Sequence, residues 1–557
     1  MNERIRSVIQ AELTRLGAPD TDFAVEWPAE LSHGDFATNA AMAASKILGK
    51  PPREIAEELV PALQKELGED ASRIDIAGPG FVNITLTGDA VARELAGAIQ
   101  NGAEWGRNAT RVGESVMIEY GNPNPFKEMH IGHLVGAIVG ESLSRLLEAS
   151  GAHTLRDTFG GDVGPQVAKA LWALQKEGVT DIASAGEIGK AYTKGANAYE
   201  ESETSKEEID ALNTRIYGVV GKEKDLSEDD RTLLYLWQKG REVSMEEFNR
   251  LFKILGTHHD YTFFDSDTTE SGMRAVKDGL AKGIFEESEG AVVYKGEKKS
   301  LFTLVFITSK GNPTYETKDI GLAFLKEERA PTDKVVIVTA VEQISHFKVV
   351  LAALEDIAPK LAAKTTHIAH GLLQLTTGKM SSRKGNVITA SDLISDLIET
   401  AAVRNPDPLI AEQVAIGALK YMILRSALGG NIIFDPEKSL SLDGDSGPYL
   451  QYAYVRAASI LASASKSEEV DQPDEVYDIA RLIMRFPEVV KKAQTLEAPH
   501  VITQYLTQLA GEWNSFYAKE RIIGGEYEAF KLSIVEAFAN TMRDGLWLLG
   551  IPVPERM

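Results

Sequence analysis

Residues 116–159 constrain this chain more than any other stretch. Val116 to Tyr120 is a short apolar strand, and Asn122-Pro123-Asn124-Pro125 after it cannot be helical, because proline lacks an N–H and restricts its neighbour. A helix from about Met129 to Ser150 then carries Ile131, Leu134, Ile138, Leu143, Leu146 and Leu147 on one stripe and stops at Gly151. Thr154 to Phe159 is the next strand, ending in Gly160-Gly161-Asp162. Strand, long helix and strand joined by short links predict parallel strands and a right-handed crossover. A second unit of this kind follows at Lys334 to Thr339, His346 to Ile357 and Thr366 to Leu373. The mostly helical, charged stretch from about 170 to 300 reads as an insertion between two halves of one sheet, an α/β, Rossmann-like parallel-sheet domain.

The flanks differ in character. Helical periodicity through Arg4 to Leu16, Asn39 to Leu48 and Glu54 to Leu67, the last bent or restarted at Pro61, precedes two strands, Arg73 to Leu86, around Gly78-Pro79-Gly80. From about Ala411 the pattern is helical, with a polar break at Lys466 to Glu475. The expected division is an N-terminal α+β module over 1–110, the first half of the Rossmann-like domain over 111–170, a mainly helical insertion over 171–300 and the second half over 301–375. A basic loop with connecting helices over 376–430 and an all-helical C-terminal domain over 431–557 complete it.

At 557 residues several domains are expected. No apolar run is long enough to cross a bilayer. The charged amphipathic start is unlike a signal peptide, so a cytoplasmic protein is expected. With no cysteine there are no disulfides, thiolate zinc sites or cysteine nucleophiles. No coiled-coil seam is evident, and a monomer is expected. A net charge of −23 argues by itself against a nucleic-acid partner, although a local basic track can coexist with an acidic whole.

Chemistry concentrates in two motifs. His130-Ile131-Gly132-His133 opens the long helix, where unpaired N–H groups and the helix dipole favour phosphates. Two imidazoles three apart share a face there and can donate to a phosphate as charge develops, while Gly132 lets a flat group lie against the backbone. The alternatives are a surface pair or a metal pair; no third ligand stands nearby to favour metal. Lys379-Met380-Ser381-Ser382-Arg383-Lys384-Gly385 follows the second unit, and its cations suit a pyrophosphate leaving group, although a basic run is also common on solvated loops. Both motifs fall at the carboxyl edge of the sheet, where such folds bind ligands.

HIGH together with KMSSR resembles the paired signatures of class I aminoacyl-tRNA synthetases, and the chain is similar to the arginyl-tRNA synthetase family from end to end. HGDFATNAA, GPGFVN, NPFKEMHIGH, GGDVGPQ, YETKDIG, KMSSRKGN, GPYLQYAYVR and LGIPVPERM occur in the family's order. The resemblance implies ATP with Mg²⁺, L-arginine and tRNA(Arg) as substrates, an N-terminal module at the tRNA elbow and a C-terminal anticodon-binding domain. It assigns His130, Gly132, His133, Asp162, Gly164, Lys379, Met380 and Ser381 to ATP, with His130, His133, Lys379, Arg383 and Lys384 as catalytic groups. Two positions depart from the pattern. Ser382 replaces the second lysine of the usual motif, with Arg383 or Lys384 to compensate, and Val163 stands where an aromatic residue is usual.

A guanidinium is always charged and carries five planar donors, so its pocket needs a carboxylate and further acceptors. Tyr315 and Asp319, four apart after a Gly-Asn-Pro turn, share a helix face; on spacing alone Asp319 is equally a helix N-terminal acid. The resemblance implies that Asp319 pairs with the guanidinium, Tyr315 and Gln343 complete that pocket, and Glu119 and Asn124 hold the α-amino and carboxylate groups. Lysine lacks the planar fork and would leave acceptors unpaired, so no editing domain is expected. Phe81, Asn83, Tyr449, Tyr452, Arg456, Trp513, Tyr517 and Met557 resemble the family's RNA contacts, but an aromatic stripe at helical spacing also fits a core. The rivals are a class I synthetase for another amino acid, a small-molecule nucleotidyltransferase and a catalytically silent RNA-binding relative.

Overall fold

The computed structural model describes residues 1–28, 30–221, 226–376, 388–464, 473 and 476–557. The chain divides into two compact units, of which the larger comprises Arg107–Gln451, Lys491–Gln504 and Leu546–Met557. Its centre is a parallel sheet of β1 (Ser115–Glu119), β2 (His153–Gly160), β3 (Tyr261–Phe264), β4 (Lys334–Ala340) and β5 (Thr365–His370) in the order β5-β4-β1-β2-β3. Every neighbouring pair is parallel. The first half of the chain builds outward from β1 in one direction and the second half builds the other way from β4. The reversal opens a crevice at the carboxyl ends of β1 and β4.

Helix α1 (Ile131–Ala149) crosses between β1 and β2 with most of its residues buried. Gly140 lies where a Cβ would meet the Tyr120 ring at 2.3 Å, so glycine sets how closely α1 approaches the end of β1. Helices α2 (Asp265–Ala281) and α3 (Tyr315–Arg329) cross through two glycines. A Cβ on Gly272 would lie 2.1 Å from the Thr317 carbonyl oxygen, and one on Gly321 would lie 2.1 Å from that of Thr268. The two backbones therefore touch, which fixes where α3 presents its first turns. Helix α4 (Ile344–Ile357) follows β4 and packs Val349, Val350, Ala353 and Leu354 into a core shared with Phe285, Phe306 and Ile320.

The expected insertion over 171–300 needs correction. Ala185–Glu201, Glu203–Val219 and Glu228–Ile254 are helices as expected, gathered on an apolar core with Ile209, Ile216, Leu233 and Trp237. Tyr261–Phe264, however, is the edge strand of the main sheet, and Ala291–Tyr294 is the middle strand of a small antiparallel sheet with Glu286–Ser288 and Leu304–Ile307. A four-residue strand carries too little periodicity to stand out among charged helices. The second unit also differs at its end: β5 stops at His370, and Leu373–Leu375 pairs with Ile432–Phe434 instead.

The last residues of the chain are fastened to the same unit. Ser142 on α1 donates to the Leu548 carbonyl at 2.9 Å, and Arg145 donates to that of Trp547 at 2.9 Å. Gln451 donates to the Pro552 carbonyl at 2.7 Å, and the buried Lys420 ammonium donates to that of Gly550.

The smaller unit comprises Met1–Gly106, Tyr452–Val490 and Tyr505–Gly545. An antiparallel sheet ordered Val25–Glu26, Phe36–Thr38, Phe81–Leu86, Ala71–Ala77 carries four helices. Pro61 lies within one continuous helix, Pro52–Leu67, rather than restarting it. The N-terminal segment is not free-standing as the 1–110 boundary implies. Arg481 pairs with the fully buried Asp35 carboxylate, and the Arg485 guanidinium lies 5.1 Å from the Trp27 ring centroid. Removing the C-terminal helices would leave a buried charge without its partner.

Candidate active site

A cavity of about 670 Å³ opens at the crevice, a volume typical of small-molecule sites. Glu119, Asn124, His130, Gly132, His133, Tyr315, Asp319 and Gln343, expected from sequence, all line it. Their positions follow from the fold: Glu119 ends β1, Asn124 lies in the loop before α1, Tyr315 and Asp319 share one face of α3, and Gln343 precedes α4.

The imidazole wall is a helix cap. Gly132 N–H donates to His130 Nδ1 at 3.1 Å, and His130 N–H donates to His133 Nδ1 at 3.3 Å. With both Nδ1 atoms accepting, each neutral ring carries its proton on Nε2 and offers one N–H donor. The rings stack with centroids 3.6 Å apart. Burial and the nearby Lys127 hold His130 below the usual imidazole range, while burial, His130, Lys127 and His370 hold His133 well below it.

The opposite wall is ionic. Glu119 receives Lys326 Nζ at 2.6 Å and Asn122 Nδ2 at 2.8 Å, so both carboxylate oxygens are satisfied before any ligand arrives. Lys326 also meets Asp157 at 2.7 Å, and burial pushes the Asp157 carboxyl up against the pull of that lysine. Asn122 holds a left-handed backbone, φ 46°, which asparagine tolerates better than most residues. Asn124 Oδ1 accepts from Gly161 N–H at 2.8 Å. Asp265, also on the lining, pairs with Lys318 at 2.6 Å. His346 Nε2 lies 2.6 Å from Asp319 Oδ2, and its Nδ1 lies 3.5 Å from Glu316 Oε1. Despite burial, hydrogen bonds to the two carboxylates drive His346 up to about 10. Burial raises Asp319, with His346 opposing it; burial also opposes ionisation of Glu316, but hydrogen bonds from His346, Thr314 and its own backbone together lower it.

Asp162 and Gly164 are not among the lining residues. Asp162 is fully buried, accepting from the backbone and hydroxyl of Ser266 at 2.9 and 2.7 Å and pairing with Arg241 at 3.0 Å. Its carboxylate is committed to the start of α2, which corrects the expectation that it meets nucleotide. Gly164, φ 121°, caps the helix Pro165–Lys176. Lys379, Met380, Ser381, Arg383 and Lys384 lie outside the described residues. Beside that stretch, Leu373 and Gln374 line the cavity, and Ala390 N–H donates to the Met129 carbonyl at 2.7 Å.

Among the expected RNA contacts, Trp513 is fully buried and stacks on Phe538 with centroids 4.4 Å apart. That ring belongs to a core and is not presented to a base, so its assignment is corrected. Arg456 lies over Tyr517 at 4.6 Å and over Tyr452 at 5.1 Å, and Tyr517 is 39% exposed. Phe81 is 38% exposed beside the half-buried Asn83. Tyr449 and Met557 are half-buried.

Sequence reasoning missed Asn122, Glu316, Lys326, His346 and His370. Only Glu316 and His346 left a signal, standing three residues from Asp319 and Gln343 respectively, at helical spacing.

A five-stranded parallel sheet with a crevice at its switch point, bounded by a helix start bearing HIGH, has the arrangement of a class I aminoacyl-tRNA synthetase core. The family model "tRNA synthetases class I (R), catalytic domain" matches residues 94–435. The arginyl-tRNA synthetase N-terminal domain matches 3–86, and the DALR anticodon binding domain matches 450–557. An arginine–tRNA ligase of Levilactobacillus brevis is 30% identical across 96% of this chain and 95% of its own length. One of Clostridium perfringens is 29% identical across 100% and 99%. The solved Thermus thermophilus arginyl-tRNA synthetase aligns over the whole of both chains with a TM-score of 0.78 and 25% identity. That of Plasmodium falciparum shares the fold, with a TM-score of 0.79 at 20% identity over 100% and 99%. The chain belongs to the arginyl-tRNA synthetase family.

Proposed function

We infer that this enzyme is an arginine–tRNA ligase, activating L-arginine with MgATP and transferring it to tRNA(Arg). The observation that carries the reading is the cavity itself, where Asp319, Tyr315 and Gln343 meet Glu119, Asn124 and the imidazole-bearing start of α1. Asp319 takes the guanidinium, with Tyr315 and Gln343 completing its hydrogen bonds. Glu119, fixed by Lys326 and Asn122, receives the α-ammonium, and Asn124 steadies the carboxylate.

An oxygen of that carboxylate attacks the α-phosphorus in line. The bond to the bridging oxygen breaks, and pyrophosphate leaves with the electron pair. The chain supplies positioning and charge stabilisation rather than a nucleophile. His130 and His133 present Nε2–H donors to the phosphates, at a helix start that favours anions. Lys379, with Arg383 and Lys384, neutralises the leaving pyrophosphate. A terminal ribose hydroxyl of tRNA then attacks the adenylate carbonyl, forming the ester and releasing AMP.

Phe81, Asn83, Tyr449, Tyr452, Arg456, Tyr517 and Met557 remain the proposed RNA contacts; the exposed Tyr517 ring beside the Arg456 guanidinium suits base stacking. No helix among the described residues is long and apolar enough to cross a membrane. Action as a cytoplasmic monomer belongs to the same proposal, and sedimentation at working concentration tests the monomer. Arginine-dependent ATP–pyrophosphate exchange, with and without tRNA, tests the activity. Exchange driven by another amino acid, or none even with tRNA, overturns the reading.

A further inference from the structure

Among the described residues, four buried or half-buried carboxylates line the cavity: Glu119, Asp265, Glu316 and Asp319. Lys326 is shared by Glu119, at 2.6 Å, and Asp157, at 2.7 Å and off the cavity lining, while Lys318 pairs with Asp265 at 2.6 Å. Glu316 and Asp319 stand three apart on α3, so they share a face, and one cation, His346 at the start of α4, stands between them. The exposed Glu342 lies at the rim of the same cavity. Behind α4, His367 on β5 stacks on Phe347 at 4.5 Å, and burial lowers it to about 4, so it adds no charge near neutrality. Without His346, the first turns of α3 would present two negative charges to a substrate side chain that brings one positive charge.

We propose that His346 is a specificity-determining residue which, as an imidazolium, cancels Glu316 and leaves the first turns of α3 one net negative charge towards the arginine side chain, carried by an oriented Asp319. The imidazolium lies closer to Asp319, at 2.6 Å, than to Glu316, at 3.5 Å. An arriving guanidinium takes Asp319 and leaves His346 with Glu316, so two cations face two carboxylates. A pocket with two uncompensated carboxylates would attract any cation, including the point charge of a lysine ammonium. One with a single carboxylate depends on the planar fork reaching Tyr315 and Gln343 as well. The inference rests on the arginine reading above.

The test is ATP–pyrophosphate exchange by the full chain with tRNA, titrating arginine and lysine separately against wild type, Glu316→Gln, His346→Gln and the double variant. Glu316→Gln leaves His346 against Asp319 and a neutral pocket, so KM for arginine rises by about tenfold or more. The double variant restores one negative charge and returns KM most of the way to wild type, a rescue that a merely structural role would not give. His346→Gln alone lowers the arginine-over-lysine ratio of kcat/KM by about tenfold. A double variant no better than Glu316→Gln, or an unchanged ratio in His346→Gln, overturns the proposal. Thermal midpoints check each variant's folding; His346→Asn replaces His346→Gln, and Glu316→Ala replaces Glu316→Gln, alone or in the double variant, where the glutamine fails to fold. Wild-type preference for arginine tests the function itself, whereas the ratios among variants test the triad.

Discussion

At the start of α1 two imidazoles stand neutral, stacked 3.6 Å apart and held below their usual range by burial and by Lys127. Across the cavity the buried or half-buried carboxylates among the described residues are ion-paired: Glu119 with Lys326, Asp265 with Lys318, and Asp319 and Glu316 with His346, whose imidazole burial fails to neutralise. The same side-chain type is thus neutral on one wall and a cation on the other, and the difference lies in its neighbours. His133 faces another imidazole and a lysine, whereas His346 faces two carboxylates. Neutral donors suit a wall where charge appears only during reaction, because they cost little when the site is empty. Fixed ions suit a wall that must recognise a permanent cation.

Breaking the ionic wall at its centre has the largest expected effect. Asp319→Ala leaves the guanidinium facing a mutually compensated His346–Glu316 pair with no carboxylate of its own, and kcat/KM for arginine in pyrophosphate exchange falls by about 10⁴-fold. Next is Lys326→Met, which strands Glu119 and Asp157 in the interior. Denaturant unfolding should show a loss of about 3–5 kcal/mol. On the neutral wall, His133→Asn removes one donor from the phosphates, so kcat falls by about 10²-fold while KM for arginine changes little. A variant that raised KM instead would place that imidazole in recognition and erase the distinction between the walls.

The smallest effect is the pH dependence of stability, which has opposite sign on the two walls. His346 rises from 6.5 to about 10 on folding, so its contribution is fully present below about 6.5 and is lost as pH climbs towards 10. His130 and His133 are lowered from 6.5, so their burial weakens folding as pH drops below 6.5. Denaturation midpoints of His346→Gln should therefore fall less steeply between pH 7 and 10 than those of wild type. Parallel curves would mean that His346 gains nothing from its carboxylates.

Much of the neutral wall was legible because its determinants are local. A strand, a proline loop and a helix start fix His130 and His133 within a few residues of each other. Tyr315 and Asp319 were legible for the same reason, being one helical turn apart. The compensating cations were not: Lys326 is 207 positions from Glu119, and no periodicity connects them. Asp162 misled because a Gly-Gly-Asp strand end at a sheet edge fits nucleotide binding, yet Ser266 and Arg241 take its carboxylate first. Trp513 misled because helical spacing reports a stripe without saying which way it faces, and Phe538 decides that it faces inward. The strand Tyr261–Phe264 was hidden by brevity, although it closes the sheet beside β2.

Helix α1 spans roughly 28 Å, with HIGH at one end and the bonds from Ser142 and Arg145 to the last turn of the C-terminal helix towards the other. Clipping the chain after Leu546 would remove the two carbonyls that anchor α1, though no clipped residue is among those lining the cavity.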